Sequence, residues 1–261
     1  MAKYMIHAYP GRMWYVEDFL IPSMLEQGIK QSDIILWNDK DRVGTLESCL
    51  RSFGSLEGIP DGTWHIPDDV IISPDFAYQT ERWKTEGVVA AFGAKQWDNI
   101  KATGYVHPHE LWFSFQCLHI PNIYASEFVH WFRQVAAIEP RYEEFRKDNK
   151  NDDYFFKEWF KIFHPDVWCV NLAPNLVDHI DYLLGGSVIN KQRGPDAVHS
   201  YFWDHWELND ELEQAIEKRK EKTRHGNNNA DYKSKSHADI SEHSGSDNSD
   251  LHVGKRERGG K

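Results

Sequence analysis

The sequence predicts an α/β protein: a mostly parallel sheet flanked by helices, followed by a helical, aromatic-rich second half. Three observations carry this reading. Short apolar runs alternate with helix-length segments over the first two-thirds of the chain, the order that builds parallel sheets with covering helices. Polar clusters fall at the expected carboxyl ends of three strands, where ligands sit in open α/β sheets. Aromatic residues make up 14% of the chain, with 11 Trp, enough to fill a large core and to line a site. The 261 residues give room for one domain, read as 1–224, and a polar tail, 225–261, that lacks any apolar period and is expected to be disordered.

Tyr4–Ala8 reads as the first strand, ending in the turn Tyr9-Pro10-Gly11-Arg12. A Pro-interrupted helix follows at about Val16–Gln27 and stops at Gly28, and Asp33–Trp37 is the second strand, ending in Asn38-Asp39-Lys40-Asp41. Thr45 is placed as the N-cap of a helix running to about Phe53. Trp64–Ile72 and Gly87–Phe92 are the next strands. In the second half Ser126 is read as a cap for a helix with Phe128, Trp131, Phe132 and Val135 on one buried stripe. Asp152-Asp153 precede a second aromatic helix that ends at His164-Pro165. Val167–Leu172 reads as a strand, Gly185-Gly186-Ser187 as a loop, and Asn209 as the cap of a last helix reaching about Arg224.

Composition narrows function. The stretch from Lys218 to Lys261 holds 11 Lys and Arg against 7 Asp and Glu, which leaves −15 on the body ahead of it out of a total of −11. A body this acidic is a poor general binder of phosphate backbones, so any nucleic-acid contact has to come from a local basic patch or the tail. Three widely spaced Cys (Cys49, Cys117, Cys169) form neither a zinc pattern nor a disulfide framework. The opening apolar stretch is too short for a secretory core, and no run approaches membrane-spanning length. A cytoplasmic protein, bacterial or of a phage-infected host, is the expectation.

The richest segment is Trp64-His65-Ile66-Pro67-Asp68-Asp69-Val70-Ile71-Ile72. Hard divalent cations take carboxylate oxygens together with substrate phosphates, so an acidic pair at a strand end suits a metal–diphosphate clamp, although such pairs are commonly solvated turns. Asp69 is the first choice as metal ligand, with Asp68 on ribose or on water in the metal's shell. Asp39 suits a ribose hydroxyl or a base edge, or an Asx turn. Arg12 suits a phosphate or a base face, or is a surface Arg. His179 is the third candidate ligand, or a core His. Asp153, with Asp152 behind it, suits a general base or a helix cap. Trp112 and Trp159 are stacking platforms or core residues.

Taken in order, these pieces resemble a compact GT-A type glycosyltransferase of the bacterial and phage kind. The resemblance runs from about Lys3 to Trp206. It rests on Tyr9-Pro10-x-Arg12, Asn38-Asp39, Ser48-Cys49-Leu50-Arg51-Ser52-Phe53, Trp64-His65-x-x-Asp68-Asp69-Val70, Asn175-Leu176-Val177-x-His179 and Gly185-Gly186-Ser187. It implies a Rossmann-like fold, donor contacts at Tyr9, Arg12, Asn38, Asp39 and Asp68, and Mn²⁺ or Mg²⁺ held by Asp69 and by a late His at 179. One departure stands out: Pro67 occupies the place of the first acid in the family's frequent Asp-x-Asp motif. The activity implied is sugar transfer from a nucleotide-diphosphate sugar, a UDP-sugar for preference, to an acceptor hydroxyl. Hydroxymethylated pyrimidines in phage DNA and surface glycans are the two acceptor classes. A noncatalytic sugar- or nucleotide-binding protein on the same fold is the alternative, and a metal-dependent hydrolase or nucleotidyltransferase the third reading.

Overall fold

The computed structural model describes residues 2–59, 61–84, 87–91, 104–106, 115–143, 152–173, 175–181, 183–184 and 213–222. The chain divides into two units, Met1–Ile216 and Glu217–Lys261. The first unit holds a seven-stranded sheet, built from β1 (Lys3–Ala8), β2 (Ile34–Asn38), β3 (Gly62–Pro67), β5 (Val89–Ala90), β6 (Gly104–Val106), β7 (Leu118–Pro121) and β8 (Cys169–Asn171). Their order across the sheet is β2-β1-β3-β7-β5-β8-β6. β1 pairs in parallel with β2 and β3, and β5 with β8; β7 is antiparallel to both β3 and β5, and β6 to β8. Five strands therefore run one way and two the other, so the chain is α/β with a mixed sheet flanked by helices.

Strand alternation sends side chains to two apolar layers. Tyr4, Ile6, Trp64, Ile66 and Val170 point into one core, beneath the first helical run. That run, α1, comprises Met13–Tyr15, a π turn Val16–Leu20 and Ile21–Glu26. The π turn precedes Pro22, a residue with no N–H to give an i→i−4 bond, and the Ile21 N–H reaches back to Val16 O across the wider turn. Val16, Leu20 and Met24 form its buried stripe, and Gly28 ends it with φ of +86°. The other core packs β7 and β8 against α2 (Thr45–Gly54), α4 (Asn122–Trp131) and α5 (Asp152–Phe163). Here Leu46, Cys49, Leu50 and Phe53 recur at i, i+3, i+4, i+7. Phe128, Phe156, Trp159 and Phe160 meet them as tilted and edge-on rings. α3 (Phe76–Arg82) completes the first half, and residues 213–222 are helical. Trp159, 3% exposed, is a core residue, whereas Trp112 lies outside the described residues.

Several boundaries differ from the sequence expectation. Trp64–Ile72 is two strands: β3, and a separate β4 (Val70–Ile72) that pairs antiparallel with β9 (Val177–His179). Asp68 and Asp69 form the turn between them, because the chain leaves the main sheet there. Thr45 is the first helical residue of α2, with Gly44 (φ +94°) at the cap. Ser126 sits inside α4, which starts four residues earlier, straight after β7. Asp152 and Asp153 are the first turn of α5 rather than residues ahead of it. Asn209, Gly185-Gly186-Ser187 and the stretch 225–261 lie outside the described residues. Among the described residues no helix is long and apolar enough to cross a membrane.

Candidate active site

The carboxyl ends of β1 and β3 lie side by side, in register through His7 and Pro67. The segments leaving these two strands meet across that edge. After β1 the chain turns through Pro10–Arg12, the Arg12 N–H bonding Tyr9 O at 2.9 Å, and this tight turn carries the Arg12 side chain inward to 5% exposure. After β3 come the two carboxylates. Arg12 Nη1 donates to Asp68 Oδ1 at 3.0 Å and to Asp69 Oδ2 at 2.5 Å, and the Tyr9 N–H donates to Asp68 Oδ2 at 2.5 Å. The guanidinium thus bridges the pair, a charge-assisted arrangement much stronger than neutral hydrogen bonds.

β9 delivers the third component. Its register sets Val70 opposite His179, and the Ile180 N–H bonds Asp69 O at 2.8 Å. His179 Nε2 then stands 3.1 Å from Asp69 Oδ1, while Nδ1 lies 3.3 Å from Asp181 Oδ1, an ion-pair distance without hydrogen-bond alignment. The His179 N–H is held by Asp178 Oδ1 at 2.9 Å. Burial disfavours a charged imidazole, but Asp69 and Asp181 outweigh it and lift His179 to about 10. Burial also opposes ionisation of Asp69, and His179 and Arg12 overcome it, holding that carboxyl well below the usual carboxylate range. Asp68 goes the other way: burial, then the neighbouring Asp69 charge, push it up to about 6 against the pull of Arg12. The two acids of one turn are therefore distinct: their surroundings favour the ionised form of Asp69 and oppose that of Asp68.

The end of β2 flanks this cluster. The Asp39 N–H bonds Ala8 O at 3.0 Å, which ties Asn38 and Asp39 to the base of the Tyr9 turn. Asp39 Oδ1 accepts the Val43 N–H at 3.3 Å, so the side chain braces its own turn, and Arg42, at φ +52°, lays its guanidinium 5.3 Å from the Tyr9 ring centroid. Asn38 Oδ1 is buried with no partner. Tyr9, Arg12, Asn38, Asp39, Asp68, Asp69 and His179 are thus brought to one edge from four separate stretches of sequence. Asp152 and Asp153 stand apart from them in the first turn of α5, where their charges act on Cys49 in α2. The Asp153 Oδ1 accepts the Tyr154 N–H at 2.7 Å. Half-buried Asp152 is pushed up to about 7 by the surrounding protein and by Asp153.

A divalent cation fits one part of this geometry. Two ligands at right angles, each about 2.1 Å from an ion, are about 3 Å apart, and Asp69 Oδ1 and His179 Nε2 are separated by 3.1 Å. The ion would take the place of the imidazole proton. The other side is taken, since Asp68 Oδ1 and Asp69 Oδ2 converge on Arg12 Nη1. Among the described residues no group of three His, Cys, Asp or Glu side chains is disposed to hold a metal ion. Mg²⁺ and its like commonly take one or two carboxylates and complete their shell from water and substrate phosphate.

Sequence reasoning misses Asp178 and Asp181. The two acids at −1 and +2 from His179 are a legible signal, because a ligating or charged His needs an orienting partner. No protein-family model matches the chain, and no curated protein matches it as a relative.

Proposed function

We propose that the chain is a metal-dependent glycosyltransferase that takes sugar from a nucleotide-diphosphate sugar, UDP-linked for preference. The observation that carries the reading is the convergence of Arg12, Asp68, Asp69 and His179 at the carboxyl edge of parallel β1 and β3, next to Tyr9 and Asp39. Glycosyl transfer needs a diphosphate neutralised at a fixed point, and a divalent cation in place of the His179 proton, beside the buried Arg12 guanidinium, would make such a point. Asp69 and His179 would hold Mn²⁺ or Mg²⁺, whose Lewis acidity supports departure of the nucleoside diphosphate. Arg12 fixes the carboxylate turn and adds positive charge beside the phosphates. Tyr9 and Arg42 offer a flat face, and Asp39 a carboxylate, to the nucleoside. Asp152, close to half-ionised near neutral pH, suits the proton-accepting role toward an acceptor hydroxyl. Asp153 spends an oxygen on the helix start. The acceptor is proposed to be a hydroxymethylated pyrimidine in DNA, with a surface glycan as the competing class.

The test is release of nucleoside diphosphate from a panel of sugar nucleotides, with Mn²⁺, with Mg²⁺ and with chelator. Metal-stimulated release from at least one donor, lost in His179→Ala, is expected. A second reading, a noncatalytic nucleotide-sugar binder, draws on Arg12, which already satisfies both carboxylates. Donor binding without release from any donor would establish that reading instead.

A further inference from the structure

Asn171 is the last residue of β8, 3% exposed, and its carboxamide oxygen is buried with no hydrogen-bond partner. A buried carbonyl left unpaired is costly, and native structures keep such groups mainly where something else completes them. Three placements say what that is. First, β8 runs parallel to β5 and in the same sense as β1 and β3, so Asn171 stands at the same carboxyl edge as the Arg12–Asp69–His179 cluster. Three strand steps separate β3 from β8, roughly 14 Å at the usual strand spacing. Second, Asn171 follows Cys169 by two residues, so both side chains share the face covered by α2, α4 and α5. α5 covers that face, and the charges of Asp152 and Asp153 in its first turn act on Cys49 in the second turn of α2. Third, the chain leaving Asn171 returns to the cluster: the Leu176 N–H bonds Ala91 O at 2.8 Å, Leu176 O accepts the Ser73 N–H at 2.8 Å, and β9 comes next. One short segment thus links the orphan oxygen to His179.

The unpaired oxygen lies on the same sheet edge as the place proposed for the diphosphate, and on the face covered by the helix that carries the candidate base. We propose that Asn171 is a specificity-determining residue whose carboxamide oxygen accepts a hydrogen bond from one hydroxyl of the sugar being transferred. The inference rests on the nucleotide-sugar reading above. It adds that discrimination among donors is made at the end of β8 rather than at the metal cluster.

Calorimetric binding of the parent sugar nucleotide, of analogues each lacking one hydroxyl, and of the free nucleoside diphosphate tests this on the full chain. Wild type is expected to bind one deoxy analogue about 10- to 100-fold more weakly than the parent, and Asn171→Ala to bind the two alike, the signature of a lost pairwise contact. Nucleoside diphosphate affinity is expected to be unchanged. A second variant, Asn171→Leu, guards against a folding artefact. It keeps the branched shape and removes the unpaired oxygen, so its melting temperature is expected to stay within a few degrees of wild type while selectivity disappears. Selectivity retained in both variants, a fall in nucleoside diphosphate affinity, or a drop in melting temperature of more than about 4 °C in Asn171→Leu would each overturn the inference. Wild type that binds nucleoside diphosphate but no sugar nucleotide more tightly would overturn it as well, leaving the nucleotide site standing. Failure to bind any nucleotide would overturn the proposed function itself.

Discussion

Asp69 is the residue on which the others depend. Each carboxylate oxygen faces a cationic group, and its carbonyl holds the start of the segment after β9. From sequence it reads as a strand-end acid and metal ligand. The structure adds an ion-pair role, so Asp69→Asn leaves two buried cations short of a charge. A cost of about 3 kcal/mol is expected, the scale for breaking a buried ion pair from one side, together with loss of metal-stimulated donor turnover. A urea midpoint equal to wild type would show that the cluster is solvated. Asp152 and Asp153 separate in the same way. Asp153→Asn keeps the oxygen that accepts the Tyr154 N–H and is expected to change transfer little, whereas Asp152→Asn is expected to slow it roughly a hundredfold without lowering the melting temperature. Equal transfer rates for Asp152→Asn and wild type would remove the base assignment.

At the scale of elements, alternation of strands and helices is legible because it is local: β1, α1, β2, α2 and β3 each announce themselves by period and punctuation. What stays hidden is pairing. Cys117-Leu118-His119-Ile120-Pro121 gives no sign that it inserts antiparallel between β3 and β5, and β4 gives none that its partner lies beyond residue 170. The site obeys the same rule. Asp68, Asp69 and His179 are legible by chemical type, whereas the bridging role of Arg12 and the isolation of Asn171 exist only once the strands are paired. Pairing also fixes small residues: a Cβ on Gly87 would fall well inside contact distance of Trp168 O, at the approach of β5 to β8. Gly87→Ala is expected to destabilise by about 1–3 kcal/mol, because backbone rather than a movable side chain blocks it. Thermal denaturation checks this, and an unchanged midpoint would mean that the two strands part easily.

For the molecule as a whole, pH is a lever on its histidines. His65 and His119 are buried at 1% and 2% exposure, and burial lowers both, His119 to about 4. An unfolded His takes up its proton near 6.5, so the native state falls behind as pH drops from about 6.5 toward 4 and recovers fully above that window. The acids at 68 and 152 are shifted upward and work in the opposite sense. The wild-type minus His119→Gln difference in unfolding free energy isolates the histidine. It is expected to shrink by roughly 3 kcal/mol between pH 7 and pH 4, and a pH-independent difference would refute the burial of a neutral ring.

Charge is the other whole-molecule property. The positive surplus near the C-terminus falls on residues 218–224, five basic against one acidic, while 225–261 balances at six of each. The basic patch is therefore not the tail, as composition first suggests. Replacing Lys218, Lys222 and Arg224 by Gln is expected to weaken a DNA acceptor most at low salt, and truncation after Arg224 to leave it unchanged. Filter binding over a salt series distinguishes the two.

The β4–β9 ladder carries a further consequence. It joins Asp69 to His179 across 110 positions of sequence, and the Arg12–Asp69 bridge adds another 57. Contacts this distant close large loops before they return any energy, which slows folding. On a ribosome, Asp69 and Arg12 emerge long before the histidine between Asp69 and Asp181 exists. Until then the nascent chain has one cation for two neighbouring carboxylates, so the site matures only when residues 177–181 have cleared the exit tunnel. Chains arrested before that point would possess most of the sheet and lack the completed charge cluster.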